Sequence, residues 1–188
     1  KRVVSSAMSS DSAKLNGVIS TLGPSGTDSA NEARKHCSDV ELFPSFTTAV
    51  ANALETGGYA LVPAGYLDFQ EGRLVDSWVD LHFRLLGKMR VVNVWESPTK
   101  EMCLAINGDR VKDRESIRSI ALHPATAVFA RQVVAEDAEI TYLSSKPLAV
   151  VVAESGRVDA CIGSVDVVAK TSLRPVDYFR PTMVWTLY

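Results

Sequence analysis

The sequence is short of the residues that announce metal, redox or phosphate chemistry. Its 188 residues hold three cysteines and three histidines, and Cys37, Cys103 and Cys161 are too widely spaced for a zinc cluster or a disulfide framework. Reduced thiols, a cytoplasmic setting and no metal are the expectation. No Gly-rich dinucleotide fingerprint occurs, nor a phosphate loop ending in Lys, so no cofactor is expected. No apolar run reaches the ~20 residues that span a bilayer. Residues 1–17 are rich in Ser and Ala, lack the apolar centre of an export signal, and read as a disordered tail. Lys and Arg number 20 against 22 Asp and Glu, for a net charge of −2. The two signs are interspersed, which argues against nucleic acid or a membrane surface as partner.

What the chain has instead is alternation of short apolar strands with amphipathic helices. Val18 to Leu22, Val40 to Phe43 and Tyr59 to Val62 read as strands, separated by helices at Asp28 to His36 and Phe46 to Thr56, the second closed by Gly57-Gly58. A turn region, Ala64 to Gly72, and an amphipathic stretch, Leu74 to Leu86, follow. Met89 to Val94 and Met102 to Ile106 read as strands. From Ile117 the pattern resumes, with strands at Ser119 to Leu122, Glu139 to Leu143 and Ala160 to Ile162, helices at Ala125 to Val134, Pro147 to Ser155 and Val165 to Ala169, and a closing strand at Met183 to Tyr188. The order predicts an α/β fold of two small lobes with a cleft between them, lobe 1 at about 18–101 and lobe 2 at about 102–188.

Three strand-to-helix turns carry the polar chemistry. The first is Gly23-Pro24-Ser25-Gly26-Thr27-Asp28-Ser29, where backbone N–H groups and the hydroxyls of Ser25, Thr27 and Ser29 suit an anionic oxygen; Ser25 or Thr27 as a plain helix cap is the competing reading. The second is Leu122-His123-Pro124, in which His123 could bind or protonate an acidic ligand or merely cap. The third is Ser144-Ser145-Lys146-Pro147. Ligands of parallel sheets lie beyond the carboxyl ends of the strands, so the three turns are expected to converge. Glu101, if walled in by apolar groups, would be a proton donor of raised pKa; an exposed loop glutamate is the competing reading. His36 and His82 read as surface residues, the tryptophans as core, and the cysteines as poor nucleophiles.

These motifs resemble the catalytic domain of prephenate dehydratase. Its Gly-Pro-x-Gly-Thr-x-Ser turn stands here as Gly23 to Ser29, its Val-Pro turn as Val62-Pro63 followed by Gly72 and Asp80-Leu81, and its Ser-His-Pro turn as Leu122-His123-Pro124. The resemblance runs from about Val18 to Tyr188. Three departures matter. Gly65, within Ala64-Gly65-Tyr66-Leu67, replaces the family glutamate, and Leu122 replaces a serine. The terminal Thr-Arg-Phe motif, implicated in expelling the ring hydroxyl, is broken: alignment on Trp185 puts Met183-Val184 in place of Thr-Arg, and a shift by one keeps Thr182 but still loses the arginine.

A dehydratase-like scaffold without that motif, with a Val-Pro-x-x-Tyr turn and a terminal Trp, is similar to the prephenate decarboxylases of antibiotic biosynthesis. The resemblance implies a lyase that removes the ring carboxylate without aromatising the ring, needing neither metal nor organic cofactor because the diene accepts the electrons. Ser25, Gly26, Thr27, Ser29, Ser144, Ser145, Thr182 and Trp185 are then expected to bind substrate, with Tyr66, His123 and Glu101 as catalytic candidates and a homodimer as the assembly. A divergent dehydratase acting on another cyclic acid and a non-catalytic carboxylate-binding module are the alternatives.

Overall fold

The computed structural model describes residues 14–188. The chain divides into two compact units, Lys1–Leu61 and Val62–Tyr188. In the first, β1 (Val18–Leu22), α1 (Asp28–His36), β2 (Asp39–Phe43), α2 (Phe46–Thr56) and β3 (Tyr59–Pro63) follow one another. β1 runs parallel to both β2 and β3, with Ile19 opposite Val40 and Tyr59. Ile19, Ala60 and Leu61 are buried, as are Phe46, Ala49, Val50 and Ala53 on the inner face of α2. A reciprocal capping box opens α2: Ser45 Oγ accepts the Thr48 N–H at 3.1 Å and Thr48 Oγ1 accepts the Ser45 N–H at 3.2 Å, an arrangement worth about 1 kcal/mol.

Residues 1–13 of the expected tail lie outside the described residues. Leu15 and Gly17 are held rather than loose. The Leu15 N–H donates to the His36 carbonyl at 2.8 Å, and the Cys37 thiol donates to the Gly17 carbonyl at 2.9 Å.

The second unit takes over within β3. After it come β4 (Leu67–Gln70), β5 (Arg73–Ser77), α3 (Trp78–Arg84), β6 (Asn93–Pro98), β7 (Met102–Ile106) and β8 (Ser119–Leu122). A 3-10 turn, Pro124–Thr126, leads into α4 (Ala127–Val133), followed by β9 (Glu139–Tyr142), α5 (Lys146–Glu154), β10 (Ala160–Ser164), α6 (Val165–Val168), β11 (Arg174–Phe179) and β12 (Thr182–Leu187). A five-stranded sheet has the order β11-β7-β10-β8-β9. β8, β9 and β10 are parallel, whereas β7 pairs antiparallel with both β10 and β11, so the sheet is mixed where a parallel one was expected. Its inner strands β7, β10 and β8 are buried without alternation because both faces are covered. Leu104, Ile106, Ile120, Leu122 and Ile162 face α4, while Cys103, Ala105, Ala121 and Cys161 face Ala149, Val150 and Ala153 of α5 and Val168 of α6.

The sequence reading went astray at three places in this unit. The turn region and amphipathic stretch contain the β4–β5 hairpin. Its turn places Glu71 at φ 50° and Gly72 at φ 76°, a geometry that Asn-Gly or Asp-Gly would have advertised and Glu-Gly does not. The strand expected at Met89 to Val94 lies at β6 instead, positioned by antiparallel pairing with β12 that sets Trp95 opposite Trp185. β11 was not anticipated, since Pro175 sits inside it next to a register shift, and proline is tolerated only at such edges and bulges. Glu101, where a lobe boundary was expected, lies between β6 and β7 inside the second unit, and β12 pairs back with β6. Among the described residues no helix is long and apolar enough to cross a membrane.

Candidate functional site

In the first unit, the turn between β1 and α1 spends much of its polarity on itself. Thr27 is the N-cap: its hydroxyl accepts from the Ala30 N–H at 3.2 Å and donates to the Leu22 carbonyl at 3.1 Å, while its own N–H reaches the Pro24 carbonyl at 3.3 Å. The capping reading therefore holds for Thr27. Ser29 is buried on α1. Ser25 and Gly26 are exposed, and their N–H groups have no hydrogen-bond partner among the described residues. Gly26 sits at φ 91° with open space where a Cβ would be, a conformation that glycine adopts without strain. This turn thus leaves the N–H groups of Ser25 and Gly26 unclaimed among the described residues, at the positive end of the α1 dipole.

In the second unit, His123 and the two serines leave one sheet edge side by side. β8 and β9 pair in parallel up to Leu122 and Tyr142, and the Leu143 N–H still reaches the Leu122 carbonyl at 2.9 Å. His123 follows immediately on one strand and Ser144 on the other. The His123 ring caps its turn, Nδ1 accepting the Ala125 N–H at 3.2 Å, and its carbonyl accepts the Thr126 N–H at 2.8 Å. An accepting Nδ1 puts the proton of the neutral ring on Nε2. Burial, with the nearby Lys146 charge as second cause, holds this imidazole below the ordinary histidine range. The capping offered as the competing reading of His123 is thus present, and the lowered pKa favours the neutral ring, which donates through Nε2. Ser145 caps α5 by accepting the Leu148 N–H at 3.3 Å, and Ser144 is exposed.

Tyr66 sits in the turn after β3, its N–H donating to the Pro63 carbonyl at 3.0 Å. Its phenol donates to Asp76 Oδ2 at 3.2 Å, and Arg84 clamps the same carboxylate with bonds of 2.9 and 2.7 Å. β4, which follows Tyr66, lies against the Pro124–Thr126 turn that follows His123. Those two sequence candidates therefore sit on adjoining elements.

The remaining candidates are committed to structure. Glu101 accepts from Arg180 Nε at 2.7 Å and is part-exposed, an ion pair rather than the apolar enclosure that a proton donor of raised pKa would need. Thr182 donates to Glu96 across the β12–β6 pair. Met183 presses on Gly65: a Cβ at Gly65 would stand 3.1 Å from both the sulfur and the methyl carbon of Met183. Trp185 is 2% exposed and its indole N–H is buried without a partner among the described residues, at a cost of about 1–3 kcal/mol. On the same strand, Thr186 takes the Trp78 indole N–H at 2.9 Å and passes its own proton to the Val62 carbonyl at 2.7 Å.

Cys103 and Cys161 are buried, and burial pushes their thiols up to about 11 and about 12. They are poor nucleophiles. Among the described residues no group of His, Cys, Asp and Glu is placed to hold a metal ion. Sequence reasoning missed Lys146 as a charged neighbour of His123, although it stands in the Ser-Ser-Lys-Pro turn. It also missed Asp76 and Arg84, whose link to Tyr66 depends on the unrecognised hairpin.

No protein-family model and no curated protein matches the chain. Solved structures do. The α/β fold is similar to that of prephenate dehydratases and periplasmic-binding-protein-like domains. The prephenate dehydratase from Arthrobacter aurescens in complex with L-Phe matches with a TM-score of 0.58 at 15% identity, over 90% of this chain and 59% of that one. A putative periplasmic sulfonate-binding protein from Methylobacillus flagellatus KT gives 0.51 at 13% identity, over 90% and 60%. An ancestral amino acid-binding protein, a precursor of cyclohexadienyl dehydratase, gives 0.50 at 16%, over 90% and 80%. The chain thus spans about three fifths of the length of the first two. It has a prephenate dehydratase-like fold.

Proposed function

We propose that this protein is a carboxy-lyase that removes the ring carboxylate of prephenate or a close relative without aromatising the ring, as in the decarboxylases of antibiotic biosynthesis. The contact between Gly65 and Met183 carries the reading. In the family pattern these two positions supply a glutamate and part of the Thr-Arg pair used to expel the ring hydroxyl. Here a glycine and a methionine fill them with one apolar contact, so the machinery for water loss is replaced by packing while the anion-accepting turns remain.

The chemistry asks little of acid–base groups. The bond between the quaternary ring carbon and its carboxylate breaks, the electron pair enters the ring diene, and a ring carbon takes a proton from solvent as carbon dioxide leaves. The hydroxyl stays. The protein need only orient and desolvate the acid. In the second unit Ser144 and Ser145 bind a carboxylate from their turn, and the Tyr66 oxygen and the His123 Nε2–H orient the ring and its substituents; in the first unit Ser25 and Gly26 offer N–H donors suited to a carboxylate. A carboxylate-binding module without chemistry is the second reading, favoured by the pairing of Glu101 with Arg180 and of Tyr66 with Asp76.

The test is incubation of the purified protein with prephenate near neutral pH, following carbon dioxide release and assaying acid-treated samples for phenylpyruvate. Carbon dioxide with a retained hydroxyl supports the proposal. Direct enzymatic formation of phenylpyruvate identifies a dehydratase, and saturable binding without turnover identifies a binding module.

A further inference from the structure

A decarboxylase must treat its two carboxylates differently. A full positive charge on the carboxylate that departs would stabilise the ground state and raise the barrier, whereas the same charge on the carboxylate that stays supplies affinity without that penalty. The second unit offers one arrangement suited to the latter task. The register of β8 and β9 brings His123 and Ser144 out of the sheet next to each other, and Lys146 opens α5 two residues beyond Ser144. The Ala125 N–H occupies His123 Nδ1, which leaves the Nε2–H as the donor, and the exposed Ser144 hydroxyl lies at the same edge.

We infer that Lys146 is the specificity-determining cation of the second unit, its ammonium and the His123 Nε2–H together binding the 2-oxo-carboxylate that the ligand retains. The inference rests on the carboxylate-processing reading above and adds the orientation of the ligand to it. The closeness of Lys146 to the imidazole is felt electrostatically, since its charge helps to hold His123 neutral. A ligand carboxylate placed on Lys146 offsets that charge and favours the imidazolium.

The protein has three histidines, His36, His82 and His123, so its imidazole signals can be assigned by NMR with single substitutions. Titration with pyruvate, 4-hydroxyphenylpyruvate and prephenate is expected to shift the His123 signals and raise its pKa, while the methyl ester of 4-hydroxyphenylpyruvate leaves them in place. Lys146→Met is expected to raise the pKa of His123 in the free protein, which reports that the variant is folded. It should weaken binding of the free acids about 10- to 100-fold, the range of a charged hydrogen bond, with Lys146→Arg restoring most of the loss. Unchanged acid binding in Lys146→Met overturns the inference, even if its His123 pKa rises. Wild-type His123 signals that ignore all three acids also overturn it. Acid binding through Lys146 without turnover of prephenate leaves this inference standing and removes the decarboxylase reading.

Discussion

The sulfur and terminal methyl of Met183 each lie 3.1 Å from the point where a Cβ on Gly65 would stand. Two residues more than a hundred positions apart are thus in close contact, and a side chain at Gly65 requires the tip of Met183 to move. Gly65→Glu is expected to displace Met183 and destabilise the protein by about 1–3 kcal/mol, the usual range for overpacking. Adding Met183→Thr should recover much of that loss. A double-mutant cycle by urea denaturation checks it, and strict additivity would show that the contact is incidental.

Gly163 in β10 is tighter still. A Cβ there would approach Val150 Cγ2 to 2.4 Å and Val168 Cγ2 to 3.1 Å, so the strand is pressed against α5 and α6. Gly163→Ala is expected to cost about 1–3 kcal/mol, and Val150→Ala in the same chain should relieve part of the clash. The midpoint of thermal unfolding reports both.

Thr186 bridges the Trp78 indole and the Val62 carbonyl. Thr186→Val keeps the shape but strands a donor and an acceptor, a change expected to cost about 1–3 kcal/mol. Trp78→Phe in the Thr186→Val background should cost less than it does in the wild type, because the stranded donor is then gone. Equal costs in both backgrounds would count against the bridge.

The His123 ring gives an acid limb of known sign. Its folded-state pKa is lowered by burial and by Lys146, so above the ordinary histidine value of about 6.5 the ring is neutral in both states and adds no pH dependence. As pH falls through that value toward the lower folded one, the unfolded chain takes up the proton first and stability drops. The difference in stability between wild type and His123→Asn should therefore shrink on acidification from about pH 7 to about pH 5. A constant difference would mean an imidazole whose pKa folding does not alter.

Much of the fold was legible because local and global preferences agree. The strands and helices of the first unit carry their own caps and apolar faces, and the ends of α1 and α2 can be read from Thr27, Ser45 and Gly57. β4, β5, β6 and β11 were not read correctly, because their positions depend on partners distant in sequence or on a turn with an uncharacteristic glutamate. The candidate site was legible in residue type but not in commitment. That Thr27 and Ser145 are caps, Thr182 a partner of Glu96 and Glu101 a partner of Arg180 are facts of three-dimensional pairing, which spacing along a chain does not encode.

At the starting end of β8 and β10, Asp159 accepts the N–H groups of Arg118 and Ser119 at 2.9 Å and the Arg110 guanidinium at 2.8 Å. Although burial opposes it, these bonds hold the carboxyl below its usual range. The His123 and Ser144 turns lie at the finishing end of parallel β8 and β9. Anchor and proposed site are separated by the length of a strand, so mutation can redraw the turns without loosening the anchor. Sequence change at the proposed site can therefore accumulate without loosening the strand starts on which this sheet folds.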